Sequence, residues 1–254
     1  MMVSAALAAE PFLEAAERIG RTLIESAIWH EDRCNWLGFA APNTRAPSPR
    51  KYAALAGDLY GGTSGIAWFL AHLAAVTGDQ RSRVTAIGAT LHALSQIQKQ
   101  PDNVFGIFNG WIGVSLVAAW AGVLLHAPEL TARAVAALEK RAPSLECHRE
   151  FDIISGRAGV IAGLLVLSRI VDLPVLLDTG VRLGDELLES ADPSAAGWSW
   201  KGPARFQYKN LTGFSHGAAG IGYALLELFH ATGIAKYRDG AQKAFAYERH
   251  WFNA

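Results

Sequence analysis

Apolar positions along this chain fall into two kinds of run that alternate. One kind is apolar on every side. Ile66-Ala67-Trp68-Phe69-Leu70 and the residues after it show no polar stripe, which predicts a helix enclosed by protein. The other kind is one-sided. Phe12, Ala16, Ile19 and Leu23 recur at helical spacing, as do Val84, Ile87, Leu91 and Leu94, and Leu176, Leu183 and Leu187, each set with charged residues on the opposite face. Such segments predict amphipathic helices that cover something. Enclosed helix, short turn, covering helix and long loop repeat in that order, giving about nine helices and no convincing strand.

Each enclosed run is opened by a glycine pair spaced G-x-x-G. The copies carry Gly62 and Gly65, Gly110 and Gly113, Gly156 and Gly159, and Gly217 and Gly220, with first glycines 48, 46 and 61 residues apart. A period of this size marks a repeated supersecondary unit. Each motif falls where a loop becomes a helix, so the variable residues just before it are expected to share one rim. Other punctuation agrees. Thr77-Gly78-Asp79 supplies a glycine stop and an aspartate N-cap, Thr232-Gly233 repeats the stop, and Pro128 and Pro174 suit first-turn positions. Alternating inner and outer helices predict an all-α fold, an α/α toroid, with the loops gathered at one mouth. Two loops are long: residues 36–58, which hold Pro42, Pro47 and Pro49, and residues 191–213. The second carries Trp198, Trp200, Phe206 and Tyr208, which either wall a pocket or pack as a lid on the rim.

Bulk properties narrow the partners. With 254 residues, 23 basic and 23 acidic, the chain can bury a large core and offers nothing to nucleic acid or an anionic membrane. Two cysteines, Cys34 and Cys147, form no disulfide framework and fit a reducing, cytoplasmic setting. Residues 59–78 and 104–128 lack Asp, Glu, Lys and Arg and are long enough to span a bilayer. Their early glycines and polar residues, and the amphipathic segment after each, favour buried helices instead, with no transmembrane segment.

The chemistry concentrates in two turns, Phe151-Asp152-Ile153-Ile154-Ser155-Gly156 and Leu211-Thr212-Gly213-Phe214-Ser215-His216-Gly217-Ala218-Ala219-Gly220. His216 sits at the start of an inner helix, whose partial positive charge disfavours an imidazolium; a nearby carboxylate offsets that. Asp152 precedes the previous inner helix on the same expected rim. The plainer roles are a helix cap for His216 and, for Asp152, bonding to free N–H groups near Ser155. Cys147-His148 and the His30/Cys34 spacing resemble zinc-ligand pairs by coincidence only; His72, His92, His126, His230 and His250 read as structural.

These two turns resemble the lanthionine synthetase C-like cyclases, above all the cyclase halves of bifunctional lanthipeptide synthetases. Leu59-Tyr60-Gly61-Gly62-Thr63-Ser64-Gly65 and the ending Tyr247-Glu248-Arg249 also match that pattern. The resemblance implies a seven-fold α/α barrel that acts on a dehydrated precursor peptide. A cysteine thiol adds to dehydroalanine or dehydrobutyrine and closes a (methyl)lanthionine thioether ring. It gives His216 the role of proton donor to the enolate and Asp152 that of its partner. It also implies a zinc ion held by two cysteines and a histidine in later repeats. The sequence ends at Ala254, after the helix following the fourth motif, so it is read as a single domain, residues 1–254, truncated to the first four of seven repeats and without recognisable zinc ligands.

An impaired cyclase is therefore expected, with apolar flanks such as Leu225, Leu228 and Phe229 left open for self-association or a partner polypeptide. The alternative is a non-catalytic peptide-binding half-barrel. A glycosidase using Asp58 and Asp152 ranks behind both, because it has no use for the Ser-His-Gly-Ala-Ala-Gly copy.

Overall fold

The computed structural model describes residues 2–40, 51–101, 104–142, 145, 150–202 and 210–252. Among them the chain is mostly helical, with nine helices. Helix α1 spans Met2–Ser26. Four helix pairs follow: α2 (Thr63–Thr77) with α3 (Gln80–Ile97), α4 (Trp111–Leu124) with α5 (Pro128–Arg141), α6 (Arg157–Leu167) with α7 (Pro174–Glu189), and α8 (Ala218–Thr232) with α9 (Ala235–Trp251). Within each pair the helices pack side by side, and α2, α4, α6 and α8 each touch the next along the array. The apolar runs are thus the inner helices. Nearly every residue of α4 from Trp111 to Gly122 is buried, whereas α5 buries only Leu130, Ala134 and Leu138, spaced by one turn. Helix α7 buries Leu176, Leu183 and Leu187 completely.

The expected punctuation is present. Gly78 ends α2 at φ 73° and Gly233 ends α8 at φ 71°, the left-handed conformation that glycine adopts at no cost. Asp79 caps α3 by accepting from the Arg81 and Ser82 amides, and Pro128 and Pro174 open α5 and α7.

The motif glycines are needed for another reason. Gly62, Gly110, Gly156 and Gly217 are the N-caps of the inner helices, all extended, with φ between −105° and −131° and ψ between −171° and −176°. Any residue adopts that backbone. What forbids a side chain is the preceding loop, which crosses directly over the helix start. A Cβ on Gly65 would lie 2.5 Å from the Leu59 carbonyl oxygen. On Gly113, Gly159 and Gly220 it would overlap the carbonyls of Ile107, Ile153 and Phe214. The repeat is therefore one backbone-on-backbone turn used four times.

Three expectations need correction. Strands exist, as three two-stranded antiparallel hairpins: β1 (Ile28–His30) with β2 (Arg33–Asn35), β3 (Leu37–Ala40) with β4 (Lys51–Ala54), and β5 (Asp192–Ser194) with β6 (Gly197–Ser199). Strands of three or four residues are too short to show alternation in sequence. Second, α1 does not bury the predicted face. Phe12 is 78% exposed and Ile19 half-exposed, while Ala16 and Leu23 are partly packed on the core.

Third, Leu225 and Leu228 are fully buried, because α7 and α9 close over α8. Gly184 leaves room for the Leu228 methyls and for Tyr237, whose hydroxyl donates to Asp185 at 2.7 Å, and Gly240 does the same for Leu225. Phe229 is half-buried under the Arg238 guanidinium. The flanks on which self-association was expected to rest are not open. Exposed apolar side chains lie on α1 and the first two hairpins, at Phe12, Ile28, Leu37, Phe39 and Tyr52, and around the last pair at Phe214, Tyr223, Ile234, Trp251 and Phe252.

Among the described residues, no helix is long and apolar enough to cross a membrane.

At the start of α2, His92 of α3 joins buried Thr63 to Asn35 of β2. Its Nδ1 lies 3.1 Å from the Thr63 hydroxyl and its Nε2 3.1 Å from the Asn35 amide nitrogen. That amide also donates to the Leu55 carbonyl, so Nε2 is the acceptor and the ring is neutral. Burial first, then Arg33 and Lys99, push the His92 pKa below its ordinary 6.5. A lowered histidine pKa means the unfolded chain binds the extra proton. This contribution to stability is therefore complete above pH 6.5 and is lost as pH falls through the lower folded value. Urea titrations should show the midpoint dropping from pH 7 to pH 5 less in His92→Gln than in wild type; identical pH slopes would refute the linkage.

Candidate functional site

The turns that open the inner helices lie side by side, as the common rim requires. The Tyr60 amide donates to the Phe108 carbonyl at 2.8 Å, joining the first turn to the second. The Asn109 side-chain amide donates to the Ser155 hydroxyl at 2.9 Å, joining the second to the third. His216 of the fourth turn meets Asp152 of the third, with 2.6 Å between Nδ1 and Oδ2. Asn109, Ser155 and His216 occupy equivalent places, each immediately before its N-cap glycine.

Asp152 makes both of the contacts expected of it. Its Oδ1 accepts from the Ser155 and Gly156 amides at 2.8 and 3.0 Å, which satisfies free N–H groups at the start of α6. Its Oδ2 is left for His216. The carboxylate is 1% exposed and the imidazole 24%, so the pair has a closed back and an accessible front. With Nδ1 committed to the carboxylate, Nε2 is the ring atom suited to exchange a proton with a substrate.

The loop carrying His216 is held from α9. The Glu248 carboxylate accepts from the Gly213 amide at 2.9 Å and from the Ala219 amide, in the first turn of α8, at 2.7 Å. The Tyr247 hydroxyl donates to the Asn210 carbonyl at 3.0 Å. The Tyr247-Glu248-Arg249 ending was legible in sequence, but its role in positioning the histidine loop was not. On the other side, Arg157 joins α6 to Glu186 of α7 at 2.8 Å. Replacing Glu248 with alanine is expected to cost about 1 kcal/mol, as loss of an N-terminal cap does. Unfolding by urea measures it, and a loss below about 0.3 kcal/mol would remove Glu248 from this role.

Both described tryptophans of the second long loop are used in packing. Trp200 is buried and donates to the Leu187 carbonyl at 2.8 Å, and Trp198 lies under Lys243 of α9 at 4.1 Å. Pro42, Pro47, Pro49, Phe206 and Tyr208 fall outside the described residues. Asp58, the counterpart of Asp152 in the first turn, accepts from the Gly61 amide at 2.8 Å.

Zinc, which the resemblance implies, does not fit the described residues. Among them no group of three or more His, Cys, Asp and Glu side chains could hold a metal ion. Cys34 pairs across its hairpin with Trp29, and His30 pairs with Arg33, which puts Cys34 and His30 on opposite faces. Cys34 is buried, its thiol donates to the Thr85 carbonyl at 3.4 Å, and burial pushes its pKa up to about 12. That thiol is turned into the protein and away from His30, so the two do not form a ligand pair. Cys147 and His148 lie outside the described residues. No step below passes through a metal.

Fold and site together define a protein of paired α-helices whose inner helices begin at a shared rim bearing a His–Asp pair. Residues 53–254 match the family model described as lanthionine synthetase C-like protein, and the chain belongs to that family. The comparison with curated proteins gave no match. Among solved structures, the unsaturated glucuronyl hydrolase of Bacillus sp. GL1, responsible for the degradation of glycosaminoglycan, is 14% identical. That alignment covers 92% of this chain and 82% of the hydrolase, with a TM-score of 0.43. At that level the likeness says nothing about catalysis here.

Proposed function

We propose that residues 1–254 form one α/α domain, an arc of a toroid, that closes thioether rings in a dehydrated peptide. The 2.6 Å contact between His216 and the buried carboxylate of Asp152 carries this reading, together with membership of the family. A peptide cysteine thiolate attacks the β-carbon of dehydroalanine or dehydrobutyrine. The carbon–sulfur bond forms as the π pair moves onto the carbonyl to give an enolate. His216 then delivers a proton from Nε2 to the α-carbon, and the enolate pair becomes the new C–H bond. Asp152 keeps the ring oriented through Nδ1 and balances the charge that passes through it. The thiol's own proton leaves to solvent, so the net change is addition of S–H across the double bond.

The peptide thiol enters with its own pKa of roughly 8.5, which leaves only a few per cent as thiolate at pH 7. Turnover by these residues alone is therefore slow. Incubation of the protein with a dehydrated, cysteine-containing peptide tests the reading. Ring closure leaves the mass unchanged but removes the thiol's reaction with N-ethylmaleimide, read by mass spectrometry. Peptide that stays fully alkylatable, at the rate of a protein-free control, would overturn it. The lack of a metal-binding cluster among the described residues favours a second reading, a non-catalytic peptide binder. Saturable binding of the same peptide without ring closure is its signature.

A further inference from the structure

Away from the His216–Asp152 pair, a groove of about 960 Å³ lies between α3 and α5, closed at one side by the turn of the β1–β2 hairpin. Its floor is apolar, from Leu91, Leu94, Ile97 and Ala137, and its edges are basic. Arg133 and Lys140 stand exposed on α5, while Arg33 on the hairpin and Arg141 at the end of α5 are half-buried. Asp32 is the single acidic residue in the lining, and it lies 3.8 Å from Arg33. Arg141 is fixed in place, donating to the Ile97 carbonyl at 2.9 Å. The excess positive field at this end of α3 reaches His92, where Arg33 and Lys99 add to the effect of burial.

Position matters as much as charge. The guanidinium of Arg141 lies over the ring of Trp111, the first residue of α4, at 5.7 Å. The ends of α3 and α5 therefore lie at the same end of the array as the start of α4, which is the end where the turns are. Arg133 and Lys140 are two helical turns apart, roughly 10 Å along the axis. That spans about three residues of extended chain at ~3.3 Å each.

We propose that this groove binds an extended peptide segment in which acidic and apolar residues alternate. Its carboxylates face Arg133, Lys140 and Arg33 while its apolar side chains lie on Leu91, Leu94 and Ile97. The segment belongs to the peptide on which the protein acts, upstream or downstream of the reacting cysteine, and so the inference rests on the proposed function for its meaning. Its test does not involve turnover.

Fluorescence anisotropy of fluorescein-labelled Glu-Leu-Glu-Val-Glu-Leu with the full chain reads the binding. Saturable binding is expected that weakens at least tenfold between 50 and 300 mM salt. It should weaken at least tenfold in Arg133→Glu/Lys140→Glu, and clearly in the milder Arg133→Gln/Lys140→Gln, with melting temperature confirming that each variant folds. His216→Ala should bind as wild type does, so failure of ring closure leaves this result standing. Equal affinity for the glutamine counterpart of the peptide, unchanged affinity in both double variants, or equally tight binding of single-stranded RNA or of anionic phosphatidylserine vesicles would overturn the proposal.

Discussion

Replacing His216 with alanine is expected to slow ring closure by roughly 10²- to 10⁴-fold, the usual contribution of a positioned proton donor. Peptide binding should change little, because in the proposed reaction the imidazole acts on the developing carbanion and not on the resting peptide. Asp152 separates catalysis from scaffolding. Asp152→Asn retains an oxygen that can accept from the Ser155 and Gly156 amides. It turns an NH₂ group toward the histidine, however, and so reverses the proton on Nδ1. That variant should fold with near wild-type stability and lose most of its kcat at unchanged KM. Asp152→Ala should lose the same activity and also about 1 kcal/mol of stability, through loss of the α6 cap. Full activity in Asp152→Asn would show that the carboxylate only holds the turn.

The second large effect is on folding. Gly113→Ala, Gly159→Ala and Gly220→Ala each place a methyl group on a carbonyl oxygen of the crossing loop, at Ile107, Ile153 and Phe214. Backbone on both sides leaves no flexible side chain to yield, so each should cost about 3 kcal/mol or more, at the upper end of overpacking effects. Gly78→Ala provides the contrast. Gly78 has φ 73° with nothing within 4 Å of an added Cβ, so it should cost only the conformational penalty of about 1 kcal/mol. Urea unfolding of the four variants gives the ranking. A loss below about 1 kcal/mol at Gly113 would show that the loop can lift off the helix.

Sequence periodicity made the inner and outer helices legible, because enclosed and one-sided helices differ in how many faces are apolar. The pairing of His216 with Asp152 was legible for a related reason. In a repeat, the turns that open successive inner helices are brought into contact, so residues of neighbouring turns meet even when, like Asp152 and His216, they hold different places in the motif. What escaped depends on relations the one-dimensional pattern does not hold. Whether Leu225 and Leu228 are covered depends on where α9 returns. Glu248 lies 32 residues beyond His216, and its caps on Gly213 and Ala219 exist only because α9 runs back along α8. Arg133 and Lys140 read as an ordinary solvated face until α3 and the hairpin are set beside them. The hairpins escaped for lack of length, and at Ser194 the signal was a single hydroxyl. It donates to Gly197 and accepts from Ala196 to fix the turn.

Because four glycine-capped turns share nearly one backbone shape, the position ahead of each cap behaves as an interchangeable socket. It holds Gly61, Asn109, Ser155 and His216 in turn, on a scaffold that does not change. Evolution can thus fit or withdraw a reactive group one residue at a time. The body of the protein keeps its shape while the chemistry displayed along its edge is rewritten.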